Sequence, residues 1–127
     1  MSRKHQPPEW PARAISLDEM TELEVMGYTN EAQFQAWVLR EAAARGWDKR
    51  LVYHPVVSRL SQSGWPDLVL IRPPRMLFWE LKGPTGTPTE SQERWISAMQ
   101  ACGQEARFVW PKDWRYVIEA LEREGTT

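Results

Sequence analysis

The chain has little cysteine, no long apolar run and no secretory pattern at its start. Among its 127 residues Cys102 is the one cysteine, so no disulfide can form within the chain, and a reducing cytosol is expected. No stretch of about 18 apolar residues is present, which predicts that nothing spans a membrane. Residues 1–14 begin with basic side chains, but no apolar stretch follows, which argues against a secretory signal.

An excess of positive charge is also missing. Lysine and arginine number 16 against 17 acidic residues, giving a net charge of −1. Since proteins that hold duplex DNA by bulk electrostatics are normally basic, any contact with nucleic acid should be local or assisted by a metal ion. The chain does contain eight tryptophans. These suit a core, a base-stacking surface or an interface, and composition does not choose among them.

The length suits one domain with a single core. Residues 1–28 are predicted to form a proline-rich arm and a short helix, and residues 29–127 the main domain. In that domain we expect a helix capped by Thr29 or Asn30, then a strand in "RLVYHPVV". A later helix is predicted to start at Thr87 as cap, and a closing helix near Pro111.

The order of predicted elements is helix, three strands, helix, strand, helix. Strands joined by a helix usually lie parallel and hairpin strands antiparallel, so we expect an α/β fold with a mixed sheet of about four strands. The hairpin arms "LVLI" and "MLFW" are apolar on both faces. Helices should therefore cover both sides of the sheet.

The most informative stretch is "GWPDLVLIRPPRMLFWELKG", residues 64–83. A hairpin folded about Pro73–Pro74 pairs residues whose numbers sum to 147, which places Asp67 opposite Glu80. Because prolines cannot adopt the positive φ of a tight two-residue turn, we expect a wider loop around them. Side chains alternate along a strand, so Glu80 and Lys82 share one face.

Two facing carboxylates destabilise a sheet unless one acid has a raised pKa or a cation lies between them. A pair of carboxylates open to solvent suits Mg²⁺ or Mn²⁺. Such an ion activates water and stabilises charge on a phosphate, and Lys82 beside it could orient or deprotonate that water. The alternative is that Asp67 and Glu80 are ordinary solvated charges. Their spacing around one apolar hairpin favours the metal site.

Three further polar residues are candidates for this site. Glu31 lies three residues before Phe34, and Gln92 three before Trp95, so both fall on the apolar sides of their helices. A solvated glutamate in the first turn of a helix is the alternative for Glu31. Arg59, in a polar loop, is either a phosphate contact or a solvated arginine.

The pattern of Pro66 and Asp67, twelve residues, then Glu80 and Lys82 resembles the PD-(D/E)xK nucleases. Four ordered blocks are similar to the VRR-NUC family, the virus-type replication-repair nuclease domain: "NEAQFQAWV", the hairpin stretch, "PTESQERW" and "FVWPKDW". The resemblance covers roughly residues 29–121. It implies a restriction-endonuclease-like core.

The resemblance also implies roles for individual residues. Asp67, Glu80 and the backbone carbonyl of Leu81 would bind the metal, with Glu31 joining directly or through water. Lys82 would act on the water or the transition state, and Gln92 would complete the site. The implied catalytic set is Glu31, Asp67, Glu80, Lys82 and Gln92.

A metal-dependent DNA endonuclease is the function that the resemblance implies. Stand-alone relatives resemble phage-type proteins and Holliday-junction resolvases, which implies a homodimer acting on branched DNA with Mg²⁺ or Mn²⁺, in the cytoplasm of a bacterial or phage-infected cell. The alternative is a nuclease-like module that binds DNA or a partner without cutting.

Overall fold

The computed structural model describes residues 30–53 and 63–124. The predicted arm and short helix of residues 1–28, the possible cap Thr29 and the candidate Arg59 lie outside these ranges. The helices and strands are α1 Glu31–Ala44, β1 Val52–Tyr53, β2 Leu68–Arg72, β3 Arg75–Leu81, α2 Glu90–Ala101, β4 Glu105–Val109 and α3 Trp114–Glu122.

The four strands form one sheet in the order β1-β2-β3-β4. β1 and β2 are antiparallel, β2 and β3 are antiparallel, and β3 and β4 are parallel. The expected mixed sheet is therefore confirmed, since the parallel pair is the one joined by a helix. The predicted start of the first strand was wrong, because Lys49–Leu51 form a 3₁₀ turn capped by Asp48 and pairing begins at Val52.

The register predicted for the hairpin is confirmed. Val69 pairs with Phe78, so the numbers of paired residues sum to 147. The wider loop was a wrong prediction, because Arg72 still pairs with Arg75 and the turn contains only the two prolines. The Pro73–Pro74 bond is cis.

Helices cover the sheet on both faces, as expected. On one face Leu70, Leu77 and Trp79 pack in a core with α1 and α3. On the other face Val69 and Phe78 pack against Ile96 of α2. Among the helices of the described residues, α2 lies on one side of the sheet and α1 and α3 lie on the other. None of the helices within residues 30–53 and 63–124 is long and apolar enough to cross a bilayer.

The helix starts were predicted only in part. Asn30 caps α1, accepting a hydrogen bond from the backbone of Gln33 at 2.8 Å. For α2 the expected cap Thr87 was wrong. Thr89 is the cap, because its hydroxyl oxygen accepts from the backbone N–H of Gln92 at 3.1 Å. This shift puts Gln92 in the first turn of α2.

Candidate active site

The carboxyl end of β3 carries two charged side chains into the protein. Glu80 is 2% exposed and Lys82 is 7% exposed. Alternation along the strand turns both toward α2, while Trp79 and Leu81 enter the opposite core. Burying charged groups is costly unless they are paired or neutralised, so their surroundings matter.

Asp67 lies beside these residues at the start of the hairpin. The last pair of the β2–β3 ladder is Leu68 with Trp79, and Asp67 comes one residue earlier. Its Oδ2 accepts a hydrogen bond from the backbone N–H of Leu81 at 3.2 Å. The hairpin thus brings the Asp67 carboxyl to the strand residue that follows Glu80.

The two carboxyl groups interact strongly. Burial raises the pKa of Glu80 to about 9, with the hydrogen bond and negative charge of Asp67 adding to the rise and Lys82 partly opposing it. Oε1 of Glu80 is buried and accepts no hydrogen bond from the described residues while Glu80 is ionised, so a proton shared with Asp67 or a cation is what can satisfy it. With no cation bound, Glu80 therefore holds a proton at neutral pH.

Gln92 joins this acid to the lysine. Its Nε2 donates to Oε2 of Glu80 at 3.2 Å. Its Oε1 accepts from Nζ of Lys82 at 2.6 Å and from the backbone N–H of Thr89 at 3.0 Å. The Gln92 amide suits both contacts, because it has N–H donors for the acid and a carbonyl acceptor for the lysine.

Glu31 lies at the outer side of the site. It is the first residue of α1, and a Cβ added at Gly83 would lie 3.4 Å from its backbone nitrogen. Burial and then the charge of Asp67 raise the pKa of Glu31, while Lys82 lowers it. Its side chain therefore shares the electrostatic environment of the site.

Within residues 30–53 and 63–124 no group of three or more acidic, histidine or cysteine side chains could hold a metal ion. The predicted role of Glu31 toward a metal, directly or through water, stays a prediction.

The donor groups present fit a small divalent cation. Asp67 and Glu80 supply oxygens from one pair of carboxyls, and one buried oxygen of Glu80 lacks a donor. Leu81, whose backbone carbonyl is the third predicted ligand, stands between Glu80 and Lys82 in the sequence. Sites made only of oxygen donors suit Mg²⁺ or Mn²⁺, which retain several waters and accept substrate oxygens.

Thr89 is the site residue that sequence reasoning missed. It fixes the Gln92 side chain through its backbone N–H and caps the helix that carries it. The signal was present, because Thr89 and Gln92 have capping-box spacing. It was hidden by the overlapping pair Thr87 and Glu90, which has the same spacing.

Comparison with known proteins found no family model, no curated protein and no solved structure that matches the chain.

Proposed function

We propose that this protein is a metal-dependent DNA endonuclease that hydrolyses phosphodiester bonds with Mg²⁺ or Mn²⁺ held by Asp67 and Glu80. The observation that carries the proposal is the placement of the Asp67 carboxyl on the backbone N–H of Leu81, next to the buried Glu80, one oxygen of which lacks a hydrogen-bond donor. The resemblance to the VRR-NUC domain and its restriction-endonuclease-like core agrees with this assignment.

The position of Lys82 argues against a purely structural cluster. In the described parts of the chain, no ion pair joins Lys82 to Asp67 or Glu80. A structural cluster would most simply neutralise an acid with the adjacent lysine. Here the ammonium group lies on the neutral amide of Gln92 instead. This leaves the acid pair to be balanced by a proton or a cation.

The chemistry divides between the metal and the protein. A bound divalent cation lowers the pKa of a coordinated water and stabilises negative charge on a phosphate. The ammonium group of Lys82 has three N–H donors, of which Gln92 takes one. The other two suit a water or a phosphate oxygen near the acid pair. Lys82 would thereby orient the nucleophile or stabilise the charge that develops in the transition state.

The substrate class follows only from the resemblance. We propose branched, Holliday-junction-like DNA, a homodimer and a cytoplasmic location in a bacterial or phage-infected cell. A second candidate is a module that binds DNA or a partner without cutting, which the net charge of −1 favours, since such a chain has little bulk attraction for duplex DNA.

The test is a cleavage assay on a panel of junctions, flaps, nicked and linear duplexes, with Mg²⁺, Mn²⁺ or EDTA. We expect cuts with either metal and none in EDTA. Asp67→Asn should abolish cutting, whereas Glu93→Gln, which removes an exposed acid from the same helix as Gln92, should not. Binding to DNA with no cutting in any metal would instead support the non-cleaving module.

A further inference from the structure

The loop between β3 and α2, residues 83–89, lies against the stem of Lys82. A Cβ added at Gly86 would lie 3.3 Å from both Cβ and Cδ of Lys82. Such a separation is shorter than an ordinary van der Waals contact, so the backbone of Gly86 already fills the space beside the lysine stem. Gly86 also donates its N–H to the carbonyl of Gly83 at 3.0 Å, which closes a tight turn.

A tryptophan after β4 holds this loop in place. The indole N–H of Trp110 donates to the carbonyl of Gly86 at 2.8 Å. Trp110 is itself fixed, because its backbone N–H donates to Oδ2 of Asp113 at 2.9 Å. Its neighbour Val109 accepts from the backbone N–H of Lys82 at 2.9 Å. The end of β4 thus holds both the backbone of the lysine and the loop beside its side chain.

We propose that Trp110 is a positioning residue for Lys82: its indole N–H fixes Gly86 against the lysine stem, so that the ammonium group stays on Gln92 beside Glu80. The consequence for catalysis rests on the proposed nuclease function. A lysine side chain has four flexible bonds, and holding only its tip leaves the stem free to move. The loop anchored by Trp110 removes that freedom.

Trp110 also allows its hydrogen bond to be tested apart from its ring. The ring lies 6.0 Å from that of Phe108, centroid to centroid, and the residue is only half-buried. Trp110→Phe therefore retains an aromatic side chain next to Phe108 while removing the N–H that reaches Gly86. Trp47→Phe is the matched control, since its indole also donates to a backbone carbonyl, that of Leu121, at 2.9 Å. Trp47 lies beneath Arg72 at the turn of the hairpin, away from the acid pair.

Lysine-selective ¹³C labelling provides a readout that does not need catalysis. The chain has four lysines, so at most four Cε signals appear, and Lys82→Gln identifies the relevant one. In the unaltered protein we expect a high order parameter for Cε of Lys82. Trp110→Phe should lower it to the value of an exposed lysine such as Lys49, whereas Trp47→Phe should leave it unchanged. An unchanged order parameter in Trp110→Phe would overturn the proposal.

Gly86→Ala gives a second, independent variant, in which the added methyl group displaces the lysine stem while Trp110 stays intact. Gly86→Ala should alter the Cε signal of Lys82. In the nuclease assay both Gly86→Ala and Trp110→Phe should lower kcat by about 10-fold or more and leave KM for DNA little changed. If Lys82 loses its order in the two variants but the unaltered protein cuts no DNA, the nuclease function is rejected and the positioning role is retained. Cleavage at full rate by Trp110→Phe and Gly86→Ala, with Lys82 still ordered, would reject the positioning role alone.

Discussion

Oδ2 of Asp67 lies 3.2 Å from the backbone nitrogen of Leu81. This bond extends the hairpin one step beyond the pair Leu68 and Trp79, with a side chain taking the place of a backbone acceptor. Asp67 is therefore both a structural acceptor and one of two facing acids. Its two roles can be separated, because an amide oxygen can accept the same bond but carries no charge.

Asp67→Asn should abolish metal-dependent cleavage while leaving the fold intact. The amide oxygen can still accept from the N–H of Leu81, but the neutral side chain weakens the hold on a cation. Cleavage assays and thermal unfolding in EDTA check the two parts. Asp67→Ala, which loses the hydrogen bond as well, serves as the comparison and should also be less stable. Undiminished cutting by Asp67→Asn would remove this residue from the metal site.

Removal of the divalent ion should lower the stability of the protein. A ligand that binds only the folded state stabilises it by about 2.7 kcal/mol at a hundredfold excess over its Kd. We therefore expect the unfolding temperature to rise on titration with Mn²⁺ and to return to its original value with EDTA. Glu93→Gln should respond in the same way, and Asp67→Asn should not. A rise of equal size in Asp67→Asn would place the bound ion elsewhere.

Stability without metal should fall as pH rises between the ordinary pKa of Glu80, 4.5, and its raised value of about 9. In that window the unfolded chain has lost the Glu80 proton and the folded chain retains it, so the folded state binds more protons. The free energy of unfolding then decreases with pH, by at most about 1.4 kcal/mol per pH unit from this group.

Urea unfolding in EDTA across that pH window measures the effect. Glu80→Gln should have a shallower slope than the unaltered protein, because its side chain does not titrate, and it should be the more stable of the two near pH 8. Equal slopes for Glu80→Gln and the unaltered protein would show that Glu80 ionises normally.

Lys82 and Gln92 should act as one unit in catalysis. We expect Lys82→Ala to lower the rate at least about 10²-fold, as loss of a positioned acid–base or electrostatic group does. Gln92→Ala should cost less, because it leaves the ammonium group present but loosely held. The double variant should be no slower than Lys82→Ala alone, and single-turnover rates complete this cycle. Additive losses would show that Gln92 acts independently of the lysine.

The hairpin and its acids could be predicted because they depend on simple rules. Strand alternation and a turn at Pro73–Pro74 fix the register, which brings Asp67 to the end of β3 where Glu80 lies. For Gln92 the sequence predicted only its position on the apolar face of its helix, and not its hydrogen bonds to Glu80 and Lys82. The sequence contains no direct signal for which polar atoms pair, because that depends on distances of a few tenths of an ångström.

Other features were wrong or unforeseen for identifiable physical reasons. The turn is tighter than predicted because Arg72 and Arg75 still pair, so that only Pro73 and Pro74 lie between the strands. The cap moved from Thr87 to Thr89 because two capping boxes overlap. The hydrogen bond from Trp110 to Gly86 joins residues 24 apart and follows from the parallel pairing of β3 and β4. Long-range contacts of this kind are not encoded in local pattern.

The most direct test is anomalous diffraction from a crystal soaked in Mn²⁺. The shared-cation account predicts one peak between Asp67 and Glu80, about 2.1 Å from an oxygen of each carboxyl, with Lys82 still bound to Gln92. Two carboxyls joined by a retained proton, with no peak between them at saturating Mn²⁺, would contradict it.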